Sequence, residues 1–156
     1  MTPEDLMRRA VALSMEKMQA GIGGPFGAVI AREGEIIAEG WNQVTSTADP
    51  TAHAEVVAIR RACQALGRFD LADCEIYTSC EPCPMCLGAI YWARLRRIWF
   101  GNDRRDAASI GFDDDFLYRE IPLPLEHRSV PAQRLLGEEA RAAFDAWLHK
   151  PDRTAY

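Results

Sequence analysis

Residues 74–102 read CEIYTSCEPCPMCLGAIYWARLRRIWFGN. CEIYTS and RRIWFGN are short runs rich in β-branched and aromatic side chains, the signature of strands. Between them, Pro82 to Ala93 reads as a helix. Pro82 and Pro84 suit its start, because the N–H groups they lack would be unpaired there anyway. Strand, helix, strand is the grammar of an α/β layer, a sheet covered on its faces by helices. The same stretch carries Cys83 and Cys86, three apart, on one face of the helix's first turn. A helix N-terminus favours thiolates, since its dipole and free N–H groups stabilise negative charge.

Working outward, the pattern continues. PFGAVIA and EIIAEGWN, joined through Arg32, Glu33 and Gly34, read as a hairpin. Asp49 and Pro50 are expected to open a helix that runs to about Leu66 and stops at Gly67. Upstream, Thr2 is expected to cap a helix, with Pro3 at its first position and Asp5 closing a capping box. Leu6, Ala10 and Leu13, with Met7, Val11 and Met18, form its apolar stripe, and Gly21 ends it. After Asn102, DDDF, IPLPLEH and SVP predict turns and a short helix. Glu138 to His149 then predicts an amphipathic helix with Phe144, Trp147 and Leu148 on one side. The fold class expected is α/β, a three-layer α/β/α sandwich in one domain over residues 1–156, without repeats or linkers.

Composition narrows the functions. A chain of 156 residues is one domain's worth and needs neither disulfide nor metal merely to fold. Its net charge of −5 argues against a polyanionic partner. No run of about 18 apolar residues exists to span a membrane. MTPEDLMRRAV has no secretory n-region or h-region, so a cytoplasmic location is expected. Three of the five cysteines fall within seven residues, and without an export signal such clustering points to metal rather than disulfides.

His53-Ala54-Glu55 supplies what the two thiols lack. A histidine is the natural third zinc ligand, and a water in the fourth position marks a catalytic site. Residues two apart cannot converge in mid-helix, but at a half-helical first turn His53 and Glu55 can both approach something beyond the helix end. Two helix N-termini would then meet at one Zn2+ per subunit, held by His53, Cys83 and Cys86. Zinc lowers the pKa of a bound water towards about 7, and Glu55 would take its proton and return it to a leaving amine. The rival arrangement is a structural zinc on Cys80, Cys83, Cys86 and His53, which closes all four positions. A CxxC pair can also be a redox motif. HxE followed by PCxxC, however, is the combination used by zinc nucleobase deaminases, with the glutamate outside the metal shell. Cys80 is then a neighbour of the site, and Cys63 and Cys74 pack as small core hydrophobes.

TAHAEVVAIR and TSCEPCPMCLGAI resemble the cytidine deaminase-like zinc superfamily, which includes cytosine, tRNA adenosine and guanine deaminases. GIGGPFGAVI, WNQVT, GFDDDFLYREI and the terminal Tyr156 are similar to its bacterial guanine deaminase branch over nearly the whole chain. The resemblance implies a central mixed sheet of about five strands and hydrolysis of guanine to xanthine and ammonia. It implies zinc, with Glu55 as the proton shuttle. It also implies a homodimer in which a swapped C-terminal segment, about 105–156, helps form the partner's active site. Asn42 would bind the base, Phe26 would stack on it, and Asp114 and Tyr156 would complete the pocket from the other subunit. Ala54 and Trp92 join the substrate-binding set, and Asp114 is taken as catalytic.

These residue types suit a purine. Guanine presents N–H and amino donors on one edge and O6 and N7 acceptors on the other. An amide can both donate and accept, and a carboxylate can accept. Each residue also has a plainer role available. Asn42 could cap a turn, Phe26 and Trp92 could be core, and Tyr156 could be a frayed end. Asp113, Asp114 and Asp115 could form a solvated turn, and which of the three is functional stays open. Arg94, Arg96, Arg97, Arg104 and Arg105 form the one basic cluster that would serve a tRNA adenosine deaminase, and otherwise form an ion-pair face. Cytosine deaminase is a further alternative within the superfamily. A non-catalytic zinc module is the alternative from another class.

Overall fold

The computed structural model describes all residues, 1–156. Helix α1 (Pro3–Gln19) begins as its sequence dictates: Thr2 and Asp5 form the reciprocal capping box, with Pro3 at the first position. Gly21, at φ +72°, takes the left-handed conformation just past its end. Leu6, Ala10 and Leu13 are buried. Val11 and Met18, expected in the same stripe, are exposed, because the sheet is covered by one side of α1 only.

Strands β1 (Gly27–Arg32) and β2 (Glu35–Trp41) form the expected hairpin. Its Glu33-Gly34 turn has positive φ at both residues, the geometry that matches strand twist. A four-residue helix α2 (Val44–Thr47) follows, then α3 (Ala54–Leu66). Here the sequence expectation is corrected. Pro50 does not open the long helix. Ala48 is left-handed, and the Asp49 carboxylate accepts from the backbone N–H and hydroxyl of Thr51, so 48–51 is a turn. The helix starts later, with His53 as its N-cap.

Strand β3 (Glu75–Cys80), helix α4 (Pro84–Trp92) and strand β4 (Arg97–Asn102) reproduce the strand–helix–strand reading. The sheet order is β2-β1-β3-β4, antiparallel except for the β3–β4 pair, which is parallel. One apolar cluster joins Leu6, Ala10 and Leu13 of α1 to Val29, Ala31 and Tyr77 on one face of the sheet. The other joins Ile30, Ile76, Ala54, Ala58 and Ile90, with α3 and α4, on the opposite face. Three layers result, as expected.

The sheet has four strands rather than the expected five or so. After β4 the chain turns helical, in α5 (Arg104–Ser109), α6 (Asp114–Glu120) and α7 (Gly137–His149), with a single 3-10 turn at Leu125–His127. Asp103 caps α5 in a second capping box. Pro122, Pro124 and Pro131 remove donors that a fifth strand would need. No helix is long and apolar enough to cross a membrane.

Candidate active site

The N-termini of α3 and α4 meet at one point. His53 is the N-cap of α3 and Cys83 the N-cap of α4, both extended, and neither side chain is used to cap its own helix. Cys86 lies one turn along, on the face that an N-cap side chain approaches. His53 Nδ1 is 3.6 Å from Cys83 Sγ and 3.5 Å from Cys86 Sγ. All three ligand atoms lie within 4.8 Å of one another. A tetrahedral zinc with bonds of about 2.0 Å to nitrogen and about 2.3 Å to sulfur requires N···S edges of about 3.5 Å. The spacing therefore fits that ion.

Cys80 is not part of this group. Its thiol is turned to the Asp103 carbonyl, 3.8 Å away, and burial pushes it up to about 12. Three convergent protein ligands leave a fourth position open, the arrangement of catalytic rather than structural sites. Cys63 is half-buried against the core and Cys74 fully buried.

Glu55 stands on the first turn of α3, buried against the same group. Its Oε2 accepts from the Cys86 thiol at 3.4 Å, and its Oε1 lies 3.3 Å from the Thr78 hydroxyl. Burial raises its carboxyl above the usual range, the direction that suits a group passing a proton back and forth. The adjacent Cys86 and His53 side chains hold the Cys83 thiol down at about 4. The neighbouring Cys83 and burial together push the Cys86 thiol up. The Cys83 hydrogen bond raises His53.

Above these groups is a cavity of about 280 Å³, lined by Phe26, Asn42, His53, Glu55, Cys83 and Asp114, with Gly24, Val44, Thr45, Pro50, Cys80, Glu81 and Phe112. Asn42 is buried, and its Oδ1 accepts from the backbone N–H groups of Gly24 and Val44. The amide therefore offers the cavity its NH₂ donor rather than both functions. Gly23 has to be glycine, because a Cβ there would sit 2.0 Å from the Asn42 carbonyl oxygen. Phe26 is held edge-to-face by Phe112, with centroids 4.8 Å apart.

The three adjacent acids separate. Asp113 caps α6, accepting from the Phe116 N–H. Asp115 pairs with Arg119. Asp114 alone of the three lines the cavity, and it does so in its own chain rather than from a partner as the resemblance implied, because α6 packs beside α4 and α5 of the same chain; burial raises its carboxyl. Ala54 lies buried between His53 and Glu55, behind the cavity wall.

Trp92 and Tyr156 are not brought to the cavity of this chain. Trp92 is exposed at the far end of α4, about 12 Å along the helix from Pro84. Its ring lies 6.0 Å from that of Tyr156, which also approaches Phe69. Of the arginine cluster, Arg96 pairs with Glu75, Arg104 with Glu81, and Arg97 covers Trp99.

Sequence reasoning did not single out Phe112, Glu81 or Thr78. Phe112 stood inside the GFDDDF motif, where an aromatic beside an acid cluster was the available signal. Thr78 carried none, since a strand threonine does not show which carboxylate it will meet.

Residues 1–102 match the family described as cytidine and deoxycytidylate deaminase zinc-binding region. Guanine deaminase of Bacillus subtilis is 53% identical over 100% of both chains. Its X-ray structure superposes with a TM-score of 0.97 over 100% of this chain and 99% of that one. A tRNA-specific adenosine deaminase of Haemophilus influenzae is 38% identical, covering 94% of this chain and 83% of its own. The sequence relationship and the open three-ligand zinc geometry agree: the chain belongs to the cytidine and deoxycytidylate deaminase zinc-binding family.

Proposed function

We propose that this chain hydrolyses guanine to xanthine and ammonia. The observation that carries the reading is the cavity itself. At its floor is Glu55 beside the His53, Cys83 and Cys86 group, and its walls offer the Phe26 and Phe112 rings, the Asn42 amide donor and the Asp114 carboxylate. Full-length similarity to B. subtilis guanine deaminase supports guanine over other bases.

His53, Cys83 and Cys86 would hold the zinc. When bound, it supplies a Lewis acid that makes water a competent nucleophile at neutral pH. Phe26 stacks on the purine, a contact worth about 1–3 kcal/mol. The Asn42 amide donates to an acceptor on the base. Asp114 accepts from its N–H and amino donors and turns the amino-bearing carbon towards Glu55. A Glu55 carboxylate oxygen takes a proton from the attacking water and delivers it to the departing amine. Thr78 and burial keep that carboxylate in place.

The swap, expected over residues from about 105 to 156, is confined on this reading to the chain after α6, because Phe112 and Asp114 line the cavity of their own chain. α7 has no helix or strand of its own chain packed substantially against it, and Phe144 and Leu148 are 75% and 63% exposed. A partner's Tyr156 and Trp92 at the dimer contact complete the substrate-binding set, with Ala54 packed behind the cavity wall between His53 and Glu55. The five unpaired thiols support a cytoplasmic setting.

Ammonia release from guanine, adenine, cytosine, cytidine and guanosine by zinc-loaded protein tests the substrate. Guanine is expected to be turned over fastest, and a preference for another substrate refutes the assignment. Tight tRNA binding with a steep salt dependence would favour the adenosine deaminase reading. The swap is tested by mixing a Glu55→Gln chain with one lacking Tyr156. Activity is expected to return as subunits exchange, and no recovery after demonstrated exchange refutes it.

A further inference from the structure

The strand-to-helix loop that delivers Cys83 is tied at two points to the segment that delivers Asp114. The Tyr118 hydroxyl donates to the Pro82 carbonyl at 2.8 Å. That carbonyl is available because Pro82 precedes the helix, whose first backbone bond runs from the Leu87 N–H to the Cys83 carbonyl. One residue earlier, the Glu81 carboxylate accepts from the backbone N–H of Arg104 at 2.9 Å and from its guanidinium at 3.0 and 3.3 Å. The Arg104 guanidinium in turn lies 3.9 Å from the centre of the Tyr118 ring, within the range of a cation–π contact. Tyr118 and Asp114 are four apart on α6 and so share a face of it.

We propose that Tyr118 is a positioning residue for Asp114. Its hydroxyl on Pro82 and its ring beneath Arg104 hold α6 in register with the loop carrying Cys83. The spacing between the carboxylate that reads the base and the group that activates water is thereby set by a closed circuit of side chains. Without the circuit, α6 is anchored only through its neighbours α5 and α4. It is seven residues long, too short to hold its own geometry in water. The inference rests on the deaminase reading of the site and adds to it the means by which the acid is aimed.

Tyr118→Phe removes the hydroxyl and keeps the ring under Arg104. Zinc content and thermal midpoint are expected to stay near wild type, while kcat/KM for guanine falls about five- to tenfold. Most of the loss should appear in KM, because Asp114 touches the base before and during reaction. Combined with Asp114→Asn, Tyr118→Phe should cost less than about twofold more, since the group it aims is already gone. Arg104→Gln should act in the same direction by about two- to fivefold. Amide exchange across 112–118 should accelerate in Tyr118→Phe. An unchanged kcat/KM in Tyr118→Phe overturns the proposal, as does a full additional loss in the Asp114→Asn background. If wild type itself leaves guanine untouched, the substrate assignment fails alone. The circuit is then judged by amide exchange, and unchanged protection in Tyr118→Phe overturns it.

Discussion

Residues 1–102 and 103–156 are built on different terms. The first stretch holds both apolar clusters and every buried residue except Ala107. The second has three helices and almost no interior: Leu135, Leu136, Phe144 and Leu148 are all exposed. The family model covers only the first stretch. The contrast separates two jobs. The sheet and its helices hold the metal ligands and Glu55, the chemistry common to the family. The later segment brings Phe112 and Asp114 to the cavity, where on the proposed reading a base is told from its relatives.

The sharpest probe of the first region is Glu55→Gln. Zinc is expected to stay bound while kcat falls by about 10²–10⁴-fold, the range for a lost acid–base group, read by metal analysis and steady-state rates. A non-catalytic zinc module would show no such loss. Next in size, Ile30→Ala should destabilise by about 2–5 kcal/mol in chemical denaturation, since it opens a cavity at the centre of a packed cluster. Leu148→Ala is the matched change in the second region. Within an isolated subunit it should cost under about 0.5 kcal/mol. If α7 docks on a second copy, the loss instead appears as weaker dimerisation, measured by sedimentation over a dilution series. A dilution-independent loss as large as that of Ile30→Ala would erase the contrast.

A further effect concerns pH. Arg9 holds the Glu39 carboxyl below the usual range through a 2.6 Å hydrogen bond, linking α1 to β2. A depressed carboxyl stabilises fully above its unfolded value and loses that contribution as pH falls through its folded value. Glu39→Gln should therefore cost up to about 1 kcal/mol at neutral pH and nothing once the wild-type carboxyl is protonated. Thermal midpoints across the acid range would show the two curves converging below the ordinary glutamate range.

The ligand set was legible because zinc chemistry, helix N-termini and sequence spacing constrain the same few residues. His53, Cys83 and Cys86 needed only the two helix starts, and an error of four residues at Pro50 did not matter. That error arose because Asp-Pro both opens helices and closes turns, and a long-range choice decides between them. The strand number was misjudged because it came from the resemblance, whereas after Asn102 the chain forms helices instead, with prolines between α6 and α7. Asp114 could not be separated from Asp113 and Asp115 without the helix start, where one residue of register turns a cap into a cavity wall. Tyr118 was invisible for a related reason. Its partner is a backbone carbonyl 36 residues away, and sequence carries no mark of a carbonyl left free.

The most direct test of the account is to incubate zinc-loaded protein with guanine in ¹⁸O-water and follow both products. The account predicts xanthine carrying one labelled oxygen at the carbon that lost its amine, with one ammonia released per guanine consumed. Fully zinc-bound wild-type protein that leaves guanine unchanged, or xanthine without the label, would contradict it.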